Sequence, residues 1–254
     1  MPKLVSHPIT FLVLTLFLMS VAAYLGSVLR RARPMADDMR EDFGVVQSAA
    51  LTLLALIIGF SLSMAVGRYD QRKNLEEEEA NAIGTELLRA ELLPAAQASE
   101  IRTLLRHYID QRIKFYQTGD GDELQQVSTT TAQLQSNLWT AARSGANAQP
   151  SPLTALATAG MNDVINTQGY TQAAWWNHIP PSAWALMVII GFFCNVLIGY
   201  GTRSSRPGRR FLIIMPLIVS ISFTLIADID SPRNGLIQVK PQNLIATAAS
   251  IPSQ

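Results

Sequence analysis

Cys194 is the only cysteine among 254 residues. A disulfide within the chain is therefore excluded, and the thiolates of a structural zinc site are missing. Histidine is equally scarce: His7, His107 and His178 lie far apart and match no metal-ligand spacing. Charged residues make up 15% of the chain, against roughly 25% in ordinary soluble domains. The net charge of +1 leaves no basic excess to meet nucleic acid or another polyanion. No P-loop, G-x-G-x-x-G, H-E-x-x-H or nucleophile–base pair is present. The chain is not read as an enzyme, and no cofactor or metal site is assigned.

Long apolar runs are what the sequence does have. Hydrophobic residues reach 48%, and mean hydropathy is positive. A spanning helix needs about 20 apolar residues, with a range of about 17–25. Four runs qualify: residues 9–29, 45–66, 182–201 and 211–227, the last containing Pro216. The first has Lys3 ahead of it and small residues at Val21-Ala22-Ala23, as a signal peptide would. Its apolar stretch runs on to Leu29 and stops at Arg30-Arg31-Ala32-Arg33-Pro34. That exceeds the roughly 7–15 residues of a signal-peptide core, so it is read as a retained span. The fold class expected is all-α: four transmembrane helices, with a helical extramembrane region, residues 67–181, between spans two and three.

Within 67–181 no strand pattern competes with helical spacing. One helix covers 67–93, with Leu75, Ile83, Leu87, Leu88 and Leu92 as a partial apolar face, and ends or kinks at Pro94. The next opens at Ala98 or Ser99 and carries Ile101, Leu104, Leu105, Tyr108, Ile113 and Tyr116. Gly119-Asp120-Gly121-Asp122 reads as a turn. A third helix covers about 123–143, a polar loop 144–151, and a fourth helix 152–176. This layer is acidic overall and is expected to pack on extensions of the spans. Pro180-Pro181 starts the third span. Trp175, Trp176 and Trp184 bracket that start, where tryptophan suits either the headgroup level or ordinary core packing.

The second span runs without a Gly-Pro break into charged helix, through Gly67-Arg68-Tyr69-Asp70-Gln71-Arg72-Lys73 to Glu76-Glu77-Glu78-Glu79. At about 100° per residue, Thr52, Gly59, Ser63, Gly67, Asp70, Asn74, Asn81 and Thr85 share one narrow sector, interrupted by Leu56. Small and polar side chains can wall a water-filled pore. They can equally let two helices approach closely in lipid. Thr52, Gly59, Ser63, Gly67 and Asp70 are the candidate pore-lining set. The four glutamates cover most of the helix circumference and are read first as solvated surface; ringed about an axis, they would form a negative belt.

A second set reads as structural polar contacts: Arg68, Arg72, Glu78, Asn81, Asn195, Asp228, Asp230 and Arg233. Asn195 lies mid-span and is expected to bond across helices; Cys194 beside it reads as an inert buried thiol. Asp228 and Asp230 sit in an acidic turn that could offer oxygen ligands to a hard cation. An Asp–Arg pair with Arg233, Arg68 or Arg72 is the preferred use.

Three stretches together resemble a known family. They are Gly59-Phe60-Ser61-Leu62-Ser63-Met64-Ala65 running into Arg68-Tyr69-Asp70-Gln71-Arg72, then Glu78-Glu79-Ala80-Asn81-Ala82-Ile83-Gly84-Thr85 with Leu88-Arg89-Ala90-Glu91-Leu92-Leu93-Pro94, and Leu225 to Gly235. Over about residues 45–240 the chain resembles the bacterial bestrophin-like membrane proteins. That resemblance implies one bestrophin-like domain in the bacterial inner membrane. It also implies a homo-oligomer, pentameric like the bestrophins, acting as an anion channel with span two near the pore. Two features depart from bestrophins. Span two has Phe60 as its only aromatic ring, and the calcium-binding acidic cluster has no counterpart beyond Asp228 and Asp230. No gate or calcium residue is carried over. The alternative is a non-conducting scaffold or sensor whose helical layer binds a partner; a transporter has no internal repeat to recommend it.

Orientation sets two rules against each other. The short loops carry Arg30, Arg31, Arg33, Arg40, Arg203, Arg206, Arg209 and Arg210, which the positive-inside rule places in the cytoplasm. The resemblance implies the reverse, with both termini and the acidic middle segment cytoplasmic, and that is the orientation expected. A reporter active only in the periplasm, fused to the carboxyl terminus, should stay silent; periplasmic activity would reverse the assignment.

Overall fold

The computed structural model describes residues 8–202 and 212–251, and every regular element among them is helical. In order they are α1 Pro8–Ala32, α2 Arg40–Arg89, a 3₁₀ turn Ala90–Leu92, α3 Ala95–Gln117, α4 Asp122–Ala148, α5 Pro152–Trp176, α6 Pro181–Gly201, α7 Ile214–Asp230 and α8 Gln242–Ser250. The chain divides into two compact units. The first takes Met1–Gly67 and His178–Ile237, and the second takes Arg68–Asn177 and Gln238–Gln254.

The punctuation of the helices follows local chemistry. Pro94 stands immediately before α3, which opens at Ala95, earlier than the expected Ala98 or Ser99. Gly121 sits between α3 and α4 at φ +139°, a backbone region that suits glycine and strains other residues. Ser151 caps α5: its hydroxyl accepts the Thr154 N–H while Thr154 Oγ1 accepts the Ser151 N–H, with Pro152 at the first helical position. Helix α4 continues to Ala148, so the expected loop 144–151 shrinks to its last three residues. Gly145 is not a loop residue; it lies buried in the helix where Leu93 and Gln97 pack close. Pro216 falls at the third position of α7, where no intrahelical N–H bond is due, so it leaves the helix unbroken.

Three segments among the described residues are long and apolar enough to cross a membrane: Pro8–Ala32, Arg40–Leu92 and Pro152–Gly201. Helix α7 is apolar but has 17 residues, at the short end of the spanning range. In the first unit α1 lies along α6 and α7. Phe11, Met19, Leu54, Met187, Cys194, Val219, Phe223 and Ala227 form its core. The α1–α6 crossing is made by small residues. A Cβ on Gly26 would overlap the Val196 carbonyl, and one on Gly199 would overlap the Ala23 carbonyl. This is the close backbone approach that small residues permit in lipid. Asn195 is fully buried. Its amide donates to Gly191 O of its own helix at 2.8 Å and reaches Met19 Sδ of α1 at 3.5 Å. The expected bond across helices is thus made only to sulfur, and Asn195 Oδ1 accepts nothing. Cys194 is buried, with its thiol directed at Ala50 O. Arg30, expected in one of the two short arginine loops, lies in the last turn of α1 and donates to Tyr200 O at 3.2 Å. Arg203, Arg206, Arg209 and Arg210 lie outside the described residues.

The second unit has an apolar core drawn from α3, α4 and α5, with Ala80 and Ile83 of α2, Ala90 of the 3₁₀ turn and Leu244 of α8. Trp175 belongs to this core, 3% exposed, with its ring 5.0 Å from Phe115 and 5.2 Å from Tyr116. Trp176 is exposed, and Trp184 meets Phe11 edge-on in the first unit.

What α2 contributes to the second unit differs from the expected apolar face. Leu88 is 72% exposed. The buried positions are Arg72, Glu76, Glu79, Ala80, Ile83 and Glu86, with Ala90 following in the 3₁₀ turn; Ala80 apart, they alternate steps of four and three residues. Most of that seam is charged. Of the glutamate run, Glu77 and Glu78 are solvated, but Glu76 and Glu79 are buried, which corrects the surface reading for those two.

Burying a charge is tolerated when it is paired and hydrogen-bonded. Arg72 donates to the carbonyls of Ala174 and Asn177, at 3.2 and 2.9 Å, at the end of α5. A cation there also meets the negative end of the helix dipole. Glu76 does the converse at α8: it accepts the Leu244 N–H at 2.9 Å and the Asn243 side-chain amide at 2.7 Å. Glu79 pairs with Arg112 of α3 through two nitrogens and accepts the Thr171 hydroxyl at 3.2 Å. Arg112 also lies over the Phe115 ring, 4.3 Å from its centre. Burial opposes the charge on Arg112, but Glu79 outweighs it and raises the guanidinium pKa. Burial and the same carboxylate push the Tyr108 and Tyr116 phenols well up.

Two outcomes follow for stability. Arg112→Ala strands Glu79 in the core and should cost about 3–5 kcal/mol in denaturant unfolding of the detergent-solubilised protein. The double variant Arg112→Met with Glu79→Leu should recover most of that loss, because no unpaired charge remains. Gly26→Leu should abolish the monodisperse folded species in size-exclusion chromatography, since backbone atoms of α6 cannot move aside for the side chain.

Candidate functional site

The face of α2 opposite the buried seam carries the stripe read from the sequence. At about 100° per residue, the buried residues Leu54 and Ala65 in the first unit define one direction. Arg72, Glu76, Glu79, Ile83, Glu86 and Ala90 keep it in the second. Thr52, Gly59, Ser63, Gly67, Asp70, Asn74, Asn81 and Thr85 cluster about the diametrically opposite direction. All eight are exposed.

The glycines make the point most directly. A Cβ placed on Gly59 or Gly67 would meet no atom within 4 Å. Among the described residues no helix packs on these two glycines, in contrast to Gly26 and Gly199. The close-contact reading is therefore not realised by α2 within one chain. Thr52 satisfies its hydroxyl by donating back to Ser48 O at 2.9 Å. Leu56, 52% exposed, sits on the same face. To either side, Leu53, Phe60, Met64 and Val66 also lie exposed, giving flanks of apolar surface around a polar line. Such a face suits lipid, a second protein surface or, along the line itself, water.

Beyond the stripe, the other polar positions named from the sequence divide. Arg72, Asn195, Asp228 and Asp230 are buried, Arg68 and Arg233 are half-buried, and Glu78 and Asn81 are exposed. Asp228 and Asp230 are engaged by backbone donors. Asp228 accepts the N–H groups of Leu236 and Ile237 at 2.6 and 3.0 Å. It thereby folds the turn Ser231-Pro232-Arg233-Asn234-Gly235 back on the end of α7. A Cβ on Gly235 would collide with that turn at Asp228 and Ser231. Asp230 accepts the Ile179 N–H at 2.9 Å, and the His178 ring nitrogen lies 2.9 Å from its carbonyl oxygen. Two carboxylates spaced i, i+2 thus serve two different backbone segments. Among the described residues no group of three His, Cys, Asp or Glu side chains is placed to hold a metal ion.

Sequence reasoning did not single out Arg112, Glu86 or Thr171. Arg112 carried a signal nonetheless: it stands four residues after Tyr108 and seven after Leu105, on the apolar face of α3. The seam on α2 had one too, in the four-and-three spacing from Arg72 to Ala90. A search for apolar residues passes over both.

The model of the Bestrophin-like domain matches residues 9–244 of the chain. No curated protein sequence matches it. Among solved structures, a bacterial bestrophin homologue from Klebsiella pneumoniae is similar at 15% identity and TM-score 0.63, over 96% of this chain and 99% of that one. A single-residue variant of that homologue aligns at 13% identity and TM-score 0.66, over 94% and 93% of the two chains. A crystal structure described as a membrane protein variant aligns at 15% identity and TM-score 0.63, over 98% and 100%. These likenesses are of fold, and the family model spans nearly the whole sequence: the chain belongs to the Bestrophin-like family.

Proposed function

We propose that the protein is one subunit of an oligomeric ion channel in a bacterial inner membrane, conducting anions as the bestrophins do. In this reading several copies, five if the family's assembly is kept, place α2 around a common axis. Thr52, Gly59, Ser63, Gly67 and Asp70 of each copy then face the conduction path. α1, α2, α6 and α7 serve as the four spans. The termini and the second unit lie in the cytoplasm.

The observation that carries the reading is the phase of α2. A polar, small-residue line runs opposite the buried seam, and none of the described residues covers it. Polar groups facing lipid are expensive, so such a face belongs toward a bundle interior or a water-filled space. Small side chains leave room for a hydrated ion, and hydroxyls offer it partners. Leu56 on the same line would set one apolar ring in the path, a constriction of the kind that gates by dewetting. Glu78 and Asn81, exposed on the extramembrane half of the helix, are positioned for contacts between subunits.

Purified protein in planar bilayers tests this. Conductance is expected, and Ser63→Trp should reduce it at least about tenfold by filling the path. Asp70→Asn should move the reversal potential in a salt gradient toward the anion's equilibrium potential, because a ring of negative charge at the mouth has been removed. Leu56→Ser should raise open probability. Absence of conductance for any anion or cation, together with a particle lacking an axial opening, would defeat the channel and favour the scaffold alternative.

A further inference from the structure

One buried carboxyl group in the second unit has no hydrogen-bond partner among the described residues. Glu86 is fully buried on the α2 seam, and neither of its oxygens makes a hydrogen bond. It faces α5 at Gly160, where the missing side chain leaves a notch. A Cβ there would collide with Glu86 Oε2, with Arg89 Nη1 and with Arg89 Cδ. The carboxyl of Glu86 and the guanidinium of Arg89, one turn on, therefore reach into the same notch. Arg89 is nevertheless paired outward, with Nη1 3.6 Å from the exposed carboxylate of Asp163 on α5.

We propose that Glu86, Arg89 and Asp163 form a proton-operated switch at the α2–α5 contact. When Glu86 is protonated, Arg89 pairs with Asp163 and ties the two helices at the surface. When Glu86 releases its proton to solvent, Arg89 turns inward to the new carboxylate and the tie to Asp163 is lost. One cation stands between two carboxylates, and the proton on the buried one decides which of them it serves.

The charges around Glu86 set where this happens. Burial dominates and pushes its carboxyl up to about 8; Arg89 on its own helix opposes that, and Asp163 from α5 adds to it. On the adjoining 3₁₀ turn Glu91 is held by Arg102 of α3 at 2.5 Å, so that pair is already neutralised. An acid whose pKa is raised by folding stabilises the fold at low pH and progressively less from its unfolded value upward. Stability contributed by this site is therefore complete below about pH 4.5 and falls as pH rises toward about 8. Neutral pH keeps Arg89 on Asp163, and mildly alkaline pH moves it.

The test uses the full chain in detergent and does not require that it conduct. Infrared difference spectra should show a protonated carboxyl band that titrates near pH 8 and is absent from Glu86→Gln. Asp163→Asn removes a like charge and frees Arg89, and should lower the midpoint by about one pH unit. Arg89→Gln should raise it. Asp163 is exposed and Arg89 half-buried, so those two variants carry the test even if Glu86→Gln does not fold. A residue that only fills space would leave no titration to move. The switch is overturned if no such band exists in the parent protein, if the band persists in Glu86→Gln, or if Asp163→Asn leaves the midpoint in place.

Discussion

The second unit is organised by the cost of burying charge on one side of α2. Four charged residues of that helix, Arg72, Glu76, Glu79 and Glu86, are buried there. An apolar seam would accept any well-packed neighbour. A charged seam accepts only neighbours that bring the complementary group to the right place. Arg72 requires the carbonyl end of a helix and meets α5; Glu76 requires N–H donors and meets the start of α8; Glu79 requires a cation and meets Arg112 of α3. Each partner comes from a different helix. The order and register of α3, α5 and α8 around α2 are thereby specified more narrowly than hydrophobic area alone could specify them.

The same constraint explains why the outer face of α2 reads so differently. A helix that commits one direction to its own chain leaves the opposite direction for something else. Between Thr52 and Gly67 that opposite direction holds Leu56 as its one bulky residue, beside Gly59 and Ser63. Ordinary lipid-facing surface would be filled with large apolar side chains, as Leu53, Phe60 and Met64 show on the flanks. The alternation of polar line and apolar flank is the feature on which the proposed channel rests.

Much of this was legible in the sequence. Apolar runs marked α1, α2 and α6 within a few residues, because spanning length leaves little freedom. Pro152 and Trp176 were placed as the ends of α5, and Gly121 within a turn, because capping and positive φ are local properties. The stripe was legible because its period is a property of one helix. What escaped depended on partners distant in sequence. Glu76 and Glu79 look the same as Glu77 and Glu78 until α8 and α3 are in place. Arg112 looks like a surface residue on a helix until Glu79 arrives opposite it. The end of α4 was misplaced because Ser144-Gly145 resembles a loop, whereas Gly145 is small to admit Leu93 and Gln97. Backbone amides that bond Asp228 and Asp230 were not foreseen beside the arginine partners the sequence suggested. A carboxylate is satisfied by any donor in reach, and backbone donors do not show in a sequence.

Three glutamates on one seam show how far environment outweighs residue type. Glu76 is held by a backbone N–H and an amide at a helix start, where the dipole favours negative charge. Glu79 is held by a guanidinium and a hydroxyl. Both carboxyls are supplied with hydrogen-bond donors. Glu86 lies one helical repeat further along, equally inaccessible, but the facing residue is Gly160, which offers no side chain at all. Only Arg89 is near, and Asp163 already engages it. The first two carboxyls have hydrogen-bond donors within reach, whereas burial at the third is opposed only in part, by Arg89. A proton is then the least costly partner available to Glu86, and the site becomes sensitive to whatever sets the supply of protons.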